Sequence, residues 1–505
     1  MNKRWIGVIL GPLFYAIVLL FVHPEDMSIE ANAILAATVW MAIWWVTEAV
    51  PIAITALLPL VLFPLSGAMD IKTAGASYGH PIIFLFVGGF MIATAIERWN
   101  LHRRVALSII AKVGSRPKSI VLGFMIATAL LSMWISNTAT TIMMVPIALA
   151  IVRQLASEED KNNTFAKALL LGIAYAASIG GIATLIGTPT NVIFSGVVQD
   201  QYGQEISFAT WMLFATPVAI FLLGICWFYL VNIGFDLKKY DGDDSSDKGM
   251  AQIRAYQAEL GPMSYEERWV ITIFALVAFS WMTRSFLLNS LIPNITDTII
   301  ALIGTMTLFV IPTKASRLPK SPIDAAMDEV DDSPATILDW ETAVKIPWGV
   351  ILLFGGGLSL ASAFNASGLA SWIGGNVVLL GNLPLFLLLF ILIAAVNFLT
   401  EITSNIATVS MILPILTSLA FSIGIHPYIL MIGATCAASC AFMLPVATAP
   451  NAIVFGSKFI KIGDMMRAGV WLNIISILTF SVYVYYVMPL VWGIDINSFP
   501  EALLK

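Results

Sequence analysis

The hydrophobic pattern of the chain consists of long apolar segments separated by short polar stretches. These segments recur from end to end and reach the length of about 20 apolar residues that spans a bilayer. They predict eleven membrane spans. The predicted spans are 5–22, 33–47, 51–66, 81–97, 166–200, 209–233, 268–288, 296–312, 346–364, 428–456 and 469–492.

Two further apolar segments, 119–153 and 383–424, are too long for a single crossing. Each contains a Ser-Asn pair near its middle, at residues 136–137 and 404–405. Ser and Asn are poor residues for a helix interior because their side chains compete for backbone hydrogen bonds. We therefore interpret each segment as a re-entrant hairpin with the pair at its tip. The predicted fold class is an all-α polytopic membrane protein with about eleven transmembrane helices and two re-entrant hairpins.

The distribution of basic residues supports this topology. Of the 26 Lys and Arg residues, all except Lys72, Arg284 and Lys505 fall on one side of the predicted membrane. Cytoplasmic loops carry an excess of Lys and Arg, so this side is predicted to be cytoplasmic. The N-terminus is then cytoplasmic and the C-terminus outside. Counting either long segment as one crossing, or as two, breaks the pattern.

Composition narrows the function classes further. Hydrophobic residues make up 59% of the chain and charged residues 11%, against about 25% charged in a soluble domain. The net charge of −5 and the lack of a long basic run give no indication of a nucleic-acid partner. Cys226, Cys436 and Cys440 lie in apolar stretches without CxxC spacing, which favours buried small side chains over metal ligands or disulfides.

The two halves of the chain share landmarks in the same order and at similar spacing. They also have opposite predicted orientations, because the first hairpin opens to the cytoplasm and the second to the outside. Interrupted apolar segments at matching positions of inverted repeats indicate a transport site near the bilayer midplane. The matched landmarks are Pro81 and Pro347, Ser136 and Ser404, Pro146 and Pro414, and the segments 187–191 and 447–451.

The inverted repeat predicts that each half has one group of helices before its hairpin and a second group that begins with the hairpin. The predicted divisions are first-half helices 1–118, the first-half hairpin and interrupted helix 119–233, a cytoplasmic linker 234–267, second-half helices 268–382 with a cytoplasmic loop 313–345, and the second-half hairpin, interrupted helix and last span 383–505.

The residue types at the hairpin tips predict sites for ions of both signs. The carboxyl end of a half-helix presents unpaired carbonyl groups, which together with hydroxyl and Asn oxygens suit a small cation. The amino end of a half-helix presents free N–H groups to an anion. No Lys or Arg falls at this depth. The charge of a bound anion must therefore be offset by helix ends and bound cations, which couples anion uptake to sodium.

Two carboxylates, Glu48 and Glu401, lie next to predicted helix breaks. Intramembrane carboxylates are candidates for proton relays. Structural hydrogen bonding to the backbone is the alternative, and we favour it for both residues.

At this point the sequence resembles the divalent anion:sodium symporter family, whose members transport dicarboxylates, citrate and sulfate. The most specific match is SCAFMLPVATAPNAIVF at Ser439–Phe455, and Trp44–Gly67 and both Ser-Asn motifs also match. The resemblance covers essentially the whole chain. It implies a homodimeric, elevator-type transporter in which a transport domain slides against a scaffold, with sodium-coupled symport of a C4-dicarboxylate such as succinate, malate or fumarate. The implied scaffold helices are 1–118 and 268–382, and the implied transport elements are 119–233 and 383–505. We place it in a plasma membrane of bacterial type, the inner membrane, from its compactness.

The resemblance also implies site residues by motif position. Sodium would bind at two sites, and a dicarboxylate would bind between them. The first sodium site comprises Ser132, Ser136, Asn137 and Gly187. The second comprises Thr400, Ser404, Asn405 and Ala447. The substrate-binding residues are Asn137, Thr138, Thr188, Pro189, Asn405 and Thr448.

Two residues depart from the family pattern and leave the preferred anion open. Ile406 stands where dicarboxylate members usually have Thr, and Ala449 stands where Pro is common. Citrate or sulfate symport and sodium-independent exchange of a dicarboxylate or 2-oxoglutarate are the alternatives within the family. A passive anion channel is a further alternative. A hydrolase is the least favoured, because the GxSxG pattern at Gly75–Gly79 lies in a polar loop and not at a strand-turn-helix elbow.

Overall fold

The computed structural model describes residues 3–24, 26–155, 163–235, 237, 243–314, 335–376 and 383–503. Across these residues the regular structure is helical, apart from one isolated bridge between Pro312 and Thr336. The described helices of the first half are α1 (Lys3–Phe21), α2 (Ile29–Thr47), α3 (Ile52–Thr55), α4 (Leu58–Leu65), α5 (Ile71–Ala76), α6 (Pro81–Arg98), α7 (Leu101–Val113), α8 (Pro117–Ser132), α9 (Asn137–Leu155), α10 (Thr164–Ile182), α11 (Pro189–Tyr202) and α12 (Phe208–Tyr229).

The second half continues with twelve more described helices. They are α13 (Asp243–Glu259), α14 (Tyr265–Thr283), α15 (Asn289–Leu291), α16 (Asp297–Val310), α17 (Trp340–Ala343), α18 (Trp348–Ala366), α19 (Leu369–Asn376), α20 (Leu385–Leu399), α21 (Asn405–Ile423), α22 (Pro427–Ala438), α23 (Ala449–Gly456) and α24 (Ile462–Trp492).

The helix bounds agree closely with the predicted spans but differ in continuity. Within the described ranges, nine helical segments are long and apolar enough to cross a membrane. The predicted span 51–66 is divided into α3 and α4, and the predicted spans 166–200 and 428–456 are each interrupted. Helix α24 begins at Ile462 instead of residue 469, because Asp464 accepts a hydrogen bond from the Lys461 N–H and stabilises polar first turns that hydropathy alone does not reveal.

Most of the basic segments predicted to share one side of the membrane contact one another at one end of the molecule. Ion pairs and side-chain hydrogen bonds join them to one another, and no one of these contacts involves a residue from the opposite end. The contacts are Arg98 with Asp339 at 2.6 Å, Arg103 with Glu259 at 3.4 Å, Arg104 with Glu267 at 2.8 Å, Lys118 with Asn232 at 2.8 Å, and Lys167 with Asp464 at 2.9 Å.

The other end of the molecule holds contacts among several of the remaining described connections between spans. Arg284, one of the three basic residues predicted outside the cytoplasmic side, is buried and pairs with Asp297 at 2.6 Å and with Glu205 at 2.8 Å. At this end the Ser28 hydroxyl also donates to the Ser367 carbonyl at 3.0 Å. A buried charge pair of this kind is tolerable because the geometry is close and additional donors satisfy the carboxylate, as the Phe208 N–H does here at 2.8 Å.

The two hairpins enter from opposite ends. Helices α12 and α24 run antiparallel, and the Tyr483 hydroxyl donates to the Phe214 carbonyl at 2.8 Å. Lys118, at the start of the α8–α9 hairpin, contacts the end of α12. Phe386, at the start of the α20–α21 hairpin, packs against Tyr485 near the end of α24, with ring centroids 5.3 Å apart. The Ser-Asn tips therefore approach each other in the middle of the molecule.

Small residues allow the central helices to approach closely. A Cβ on Gly180 would overlap the Ala129 backbone, so α8 and α10 pack with their main chains in contact. Gly356 meets the Ala56 backbone in the same way, and a Cβ on Gly357 would lie 2.7 Å from the Ser410 hydroxyl. Close packing through small residues is typical of membrane helices. The glycines at 355–357 therefore serve helix packing.

Candidate functional site

The breaks in the two interrupted spans are held by equivalent asparagine side chains. The Asn191 amide donates to the carbonyls of Gly181 at 3.3 Å, Ile182 at 3.2 Å and Thr184 at 2.8 Å. The Asn451 amide donates to the carbonyls ten and seven residues earlier, at 3.1 and 3.0 Å. These bonds satisfy carbonyl groups that helix ends leave unpaired, which irregular backbone inside a membrane protein requires.

The carboxylate of Glu401 has a structural role at the second break. It accepts hydrogen bonds from the N–H groups of residues 442–444 at 2.7 to 3.0 Å and from the Asn473 amide at 2.8 Å. The prediction of backbone hydrogen bonding is thus confirmed for Glu401. It is wrong for Glu48, an exposed left-handed residue at the end of α2 whose carboxylate has no hydrogen-bond partner in the described part of the chain.

A cavity of about 920 Å³ lies where the hairpin tips and the helix breaks meet. Asn137 and Asn405, from the two tips, line this one cavity together. Ten of the twelve residues proposed for the sodium and substrate sites contribute to its wall. They are Ser136, Asn137, Thr138, Gly187, Thr188, Pro189, Ser404, Asn405, Ala447 and Thr448.

The remaining two residues, Ser132 and Thr400, lie behind the cavity wall and are fully buried. In the first half, the Ser132 hydroxyl and the Asn137 side-chain oxygen are both buried, and neither has a hydrogen-bond partner among the residues that the structure describes. Gly181 packs directly against the Asn137 side chain and the Gly187 carbonyl, because a Cβ there would lie 2.8 Å from the Asn137 oxygen and 3.1 Å from the Gly187 carbonyl. The hydroxyl, amide and carbonyl oxygens are the hard donors that a small cation prefers.

The equivalent positions in the second half, Thr400 and Asn405, have different hydrogen bonds. The Thr400 hydroxyl donates to the Asn405 side-chain oxygen at 2.6 Å and lies 3.1 Å from the Ala438 carbonyl. Buried polar groups that find such partners cost little, whereas unpaired ones cost about 1–3 kcal/mol. The two candidate cation sites therefore differ in how far the protein itself satisfies their oxygens.

Four helix N-termini face the cavity, those of α9, α11, α21 and α23. The Ser136 hydroxyl accepts from the Ala139 N–H at 3.2 Å, and the Thr448 hydroxyl accepts from the Asn451 N–H at 3.3 Å. The positive ends of helix dipoles favour bound anions. The described wall contains one basic residue, Lys345, which is exposed and comes from the segment leading into α18 at the basic end.

Several wall residues were not predicted from the sequence. Ser178 and Ser439 sit on the half-helices before the two breaks, and the Ser439 hydroxyl lies 2.8 Å from that of Thr190, which joins the two interrupted spans. A small polar residue just before each helix break was the available signal. Glu97 and Phe86 also line the cavity from α6, and nothing in their local sequence distinguishes them from ordinary span residues.

The fold and this cavity define the class of protein. Apolar helices of membrane-spanning length surround a central polar chamber built from helix termini, which is the architecture of a membrane transporter for small solutes. Residues 2–493 match the family model described as the sodium:sulfate symporter transmembrane region. The chain belongs to this family, the divalent anion:sodium symporters, and is an integral membrane transporter.

Similar proteins agree with that assignment. The chain is 47% identical over 503 residues to the sodium-dependent dicarboxylate transporter SdcS of Staphylococcus aureus strain RF122, covering 98% of this chain and 93% of the relative. SdcS of strain MSSA476 is 46% identical with the same coverage. These relatives are transporters, not enzymes. The GxSxG serine, Ser77, lies in a single helical turn between α5 and α6, which is not the strand-turn-helix elbow of a hydrolase.

Two solved structures share the fold at low sequence identity. The YdaH transporter of Alcanivorax borkumensis superposes with a TM-score of 0.59 at 14% identity, covering 98% of this chain and 99% of that one. MtrF of Neisseria gonorrhoeae, described as one of a class of antimetabolite efflux pumps, superposes with a TM-score of 0.57 at 14% identity and 96% coverage of both chains. At this identity the likeness concerns the fold alone.

Proposed function

We propose that this protein takes up C4-dicarboxylates such as succinate, malate and fumarate by symport with sodium. The observation that carries the proposal is the shared wall formed by Asn137 and Asn405, where four helix N-termini meet beside buried hydroxyl and amide oxygens. Helix N-termini offset part of the charge of a dianion, and bound cations offset the rest. The SdcS relatives, named as sodium-dependent dicarboxylate transporters, support the choice of ion and substrate.

Residue roles follow the two halves of the cavity. One sodium ion binds among Ser132, Ser136, Asn137 and the Gly187 carbonyl. A second binds among Thr400, Ser404, Asn405 and the Ala447 carbonyl. The substrate carboxylates lie between them against Asn137, Thr138, Thr188, Pro189, Asn405 and Thr448. The wall position of ten of these residues and the burial of the other two support these roles.

Reconstitution in liposomes tests the symport directly. We expect uptake of labelled succinate to depend on an inward sodium gradient and to saturate with substrate. Potassium in place of sodium is the matched control, at equal ionic strength. Uptake of equal rate in the two salts would contradict sodium symport, and flux that never saturates would indicate a channel.

Two alternatives within the family need separate measurements. Ile406 lines the cavity where a hydroxyl would contact substrate, which keeps citrate and sulfate as alternative substrates. Competition of labelled succinate uptake by succinate, citrate, 2-oxoglutarate and sulfate ranks these anions. Counterflow in sodium-free buffer identifies an exchanger, because exchange requires internal anion instead of a cation gradient.

The proposed orientation places the basic end of the molecule in the cytoplasm, so the two halves are inverted repeats with the N-terminus inside and the C-terminus outside. The positive-inside rule supports this orientation. Since the cavity reaches Lys345 and Glu97, it opens toward the basic end. The structure would then be the cytoplasm-facing state of the transporter.

The position of the cavity supports movement as an elevator. One wall comes from the proposed transport elements, and the other comes from Glu48 on the end of α2 and Phe86 on α6. The two groups also touch at Gly89 on α6 and Ile186 in the first helix break, where an added Cβ would lie 3.9 Å from that of Ile186. This distance is within the range that a disulfide requires, so a Gly89→Cys, Ile186→Cys pair is suited to one. The three native cysteines are buried and do not compete.

Oxidation of this pair should stop uptake, and reduction should restore it. Each single substitution is the control for the damage done by the cysteine itself. Full uptake in the cross-linked protein would contradict sliding of the first helix break past α6. The proposed homodimer, which rests on the family resemblance, is tested separately by the molar mass of the purified protein in detergent.

A further inference from the structure

A second cavity, of about 890 Å³, lies at the basic end of the molecule and is separate from the site described above. It forms where the first turns of α10 and α24 meet the end of α12. Its wall combines two cationic side chains, Lys167 and Arg467, with apolar side chains that include Phe235, Trp471 and Ile475. No part of the proposed transport mechanism uses it.

The charge in this cavity is unbalanced. Lys167 pairs with Asp464 at 2.9 Å, and its side chain is only 14% exposed. Arg467 is exposed, and no carboxylate lies within ion-pair distance of its guanidinium in the described ranges of the chain. The Tyr229 hydroxyl lies 3.5 Å from the Arg467 carbonyl, so it closes the wall without neutralising the guanidinium. One positive charge therefore remains for a ligand.

The apolar wall continues onto the outer surface of the protein. Trp471 is 54% exposed and Ile233 is 68% exposed, and both line the cavity. Along the same two helices, Phe228 on α12 and Leu478 on α24 are also exposed. Large apolar side chains exposed in this way face hydrocarbon, and Trp and Tyr are typical of the level of the lipid headgroups. The cavity is thus cationic on one side and continuous with lipid on the other.

We propose that this cavity binds an anionic phospholipid. The phosphate lies against Arg467, with the Lys167–Asp464 pair behind it, and an acyl chain follows Trp471 and Ile475 outward. Basic pockets between membrane helices on the cytoplasmic side are suited to acidic headgroups. Inorganic phosphate has the same charged group as the lipid but makes no contact with the apolar wall. A phospholipid should therefore bind this cavity more tightly than inorganic phosphate does.

Lipid retention by the purified full-length protein tests the proposal. The protein is exchanged into detergent from vesicles of equal phosphatidylglycerol and phosphatidylcholine, and the retained lipids are counted by mass spectrometry. The wild type should retain phosphatidylglycerol in preference. Arg467→Gln should lower that preference about fivefold, the effect of removing one basic residue near an anionic headgroup. Arg467→Lys should keep most of it.

The matched control is Lys112→Gln, which removes an exposed basic residue on α7 at the same end but outside the cavity. It should leave the preference unchanged. Equal retention by Arg467→Gln and the wild type would overturn the proposal, as would complete displacement of phosphatidylglycerol by inorganic phosphate. Because retention is measured without transport, the outcome is independent of the proposed symport. Thermal unfolding at the wild-type temperature confirms that each variant has folded. If Arg467→Gln does not fold, Asp464→Asn takes its place. Because Asp464→Asn increases the positive charge of the cavity, it should raise the preference for phosphatidylglycerol, and an unchanged preference would overturn the proposal.

Discussion

The Thr400 hydroxyl donates a 2.6 Å hydrogen bond to the side-chain oxygen of Asn405, and the matching pair in the first half makes no such bond. There Ser132 and Asn137 occupy the same relative positions in the chain, but both oxygens are buried without partners. The same five-residue spacing thus produces one site whose oxygens satisfy each other and one whose oxygens are left to a ligand. The two proposed sodium sites are therefore not equivalent, although the sequence repeat suggests that they are.

Ser132→Ala should weaken sodium activation without destabilising the fold. The hydroxyl makes no hydrogen bond within the described part of the protein, so its loss removes a cation ligand and little else. A bond to a charged partner is worth about 1.5–3 kcal/mol, which predicts at least a roughly tenfold rise in half-activating sodium concentration. Titration of succinate uptake with sodium measures this half-activating concentration.

The control for that variant is Thr128→Val, one turn earlier on α8. Thr128 is also buried, and its hydroxyl has no partner among the described residues, but it is not one of the proposed cation ligands. Its sodium titration should be unchanged. A similar shift in both variants would mean that α8 packing, and not a cation ligand, is responsible.

Asn191→Ala should destabilise the protein and stop uptake. The substitution removes one donor from three buried carbonyls at the first helix break. The Ile182 carbonyl keeps the Trp211 indole N–H at 3.0 Å and the Thr184 carbonyl keeps a weak bond from the Gly187 N–H at 3.4 Å, so the loss is greatest at Gly181. Unsatisfied buried groups cost about 1–3 kcal/mol each, so a clear fall in thermal midpoint in detergent is expected. Asn451→Ala should behave alike, and Asn232→Ala is the exposed control. Wild-type stability in both break variants would show that the amides do not hold the breaks.

Glu401→Gln and Glu48→Gln should differ sharply. Glu401 accepts four hydrogen bonds, three of them from consecutive backbone N–H groups, and its substitution weakens all of them. Glu48 has no hydrogen-bond partner within the described residues, so the thermal midpoint of the Glu48→Gln variant should be within error of the wild-type value. Thermal unfolding and sodium-driven uptake, measured together on each variant, separate loss of fold from loss of transport. Equal stability of the two variants would contradict the structural role of Glu401.

Ile406→Thr should strengthen dicarboxylate binding. Ile406 is on the first turn of α21 and lines the cavity, so a hydroxyl there can reach a substrate carboxylate. A net hydrogen bond of about 1 kcal/mol predicts a roughly fivefold lower KM for succinate. Ile402→Thr makes the same change elsewhere on the cavity wall and should have no such effect. An equal gain in both variants would indicate general polarity of the wall and not a specific contact.

The sequence by itself determined the class of this protein and the parts of its site. Hydropathy alone locates nearly every span, since a bilayer imposes one length on any helix that crosses it. The Ser-Asn tips, the broken spans and their repeat were also readable, because polar residues inside apolar segments are costly unless they serve a site. Family membership followed from the motifs around Ser439–Phe455.

Only the tertiary structure decided which oxygens are free. Ser132 and Thr400 are matching positions in sequence, yet one hydroxyl is unpartnered and the other is bonded to Asn405 and Ala438. Glu48 and Glu401 also have similar positions in the sequence, each next to a predicted helix break, but only Glu401 accepts hydrogen bonds in the described structure. Hydrogen bonding at this depth depends on which helix ends meet across long sequence distances, and a local pattern carries no information about that meeting.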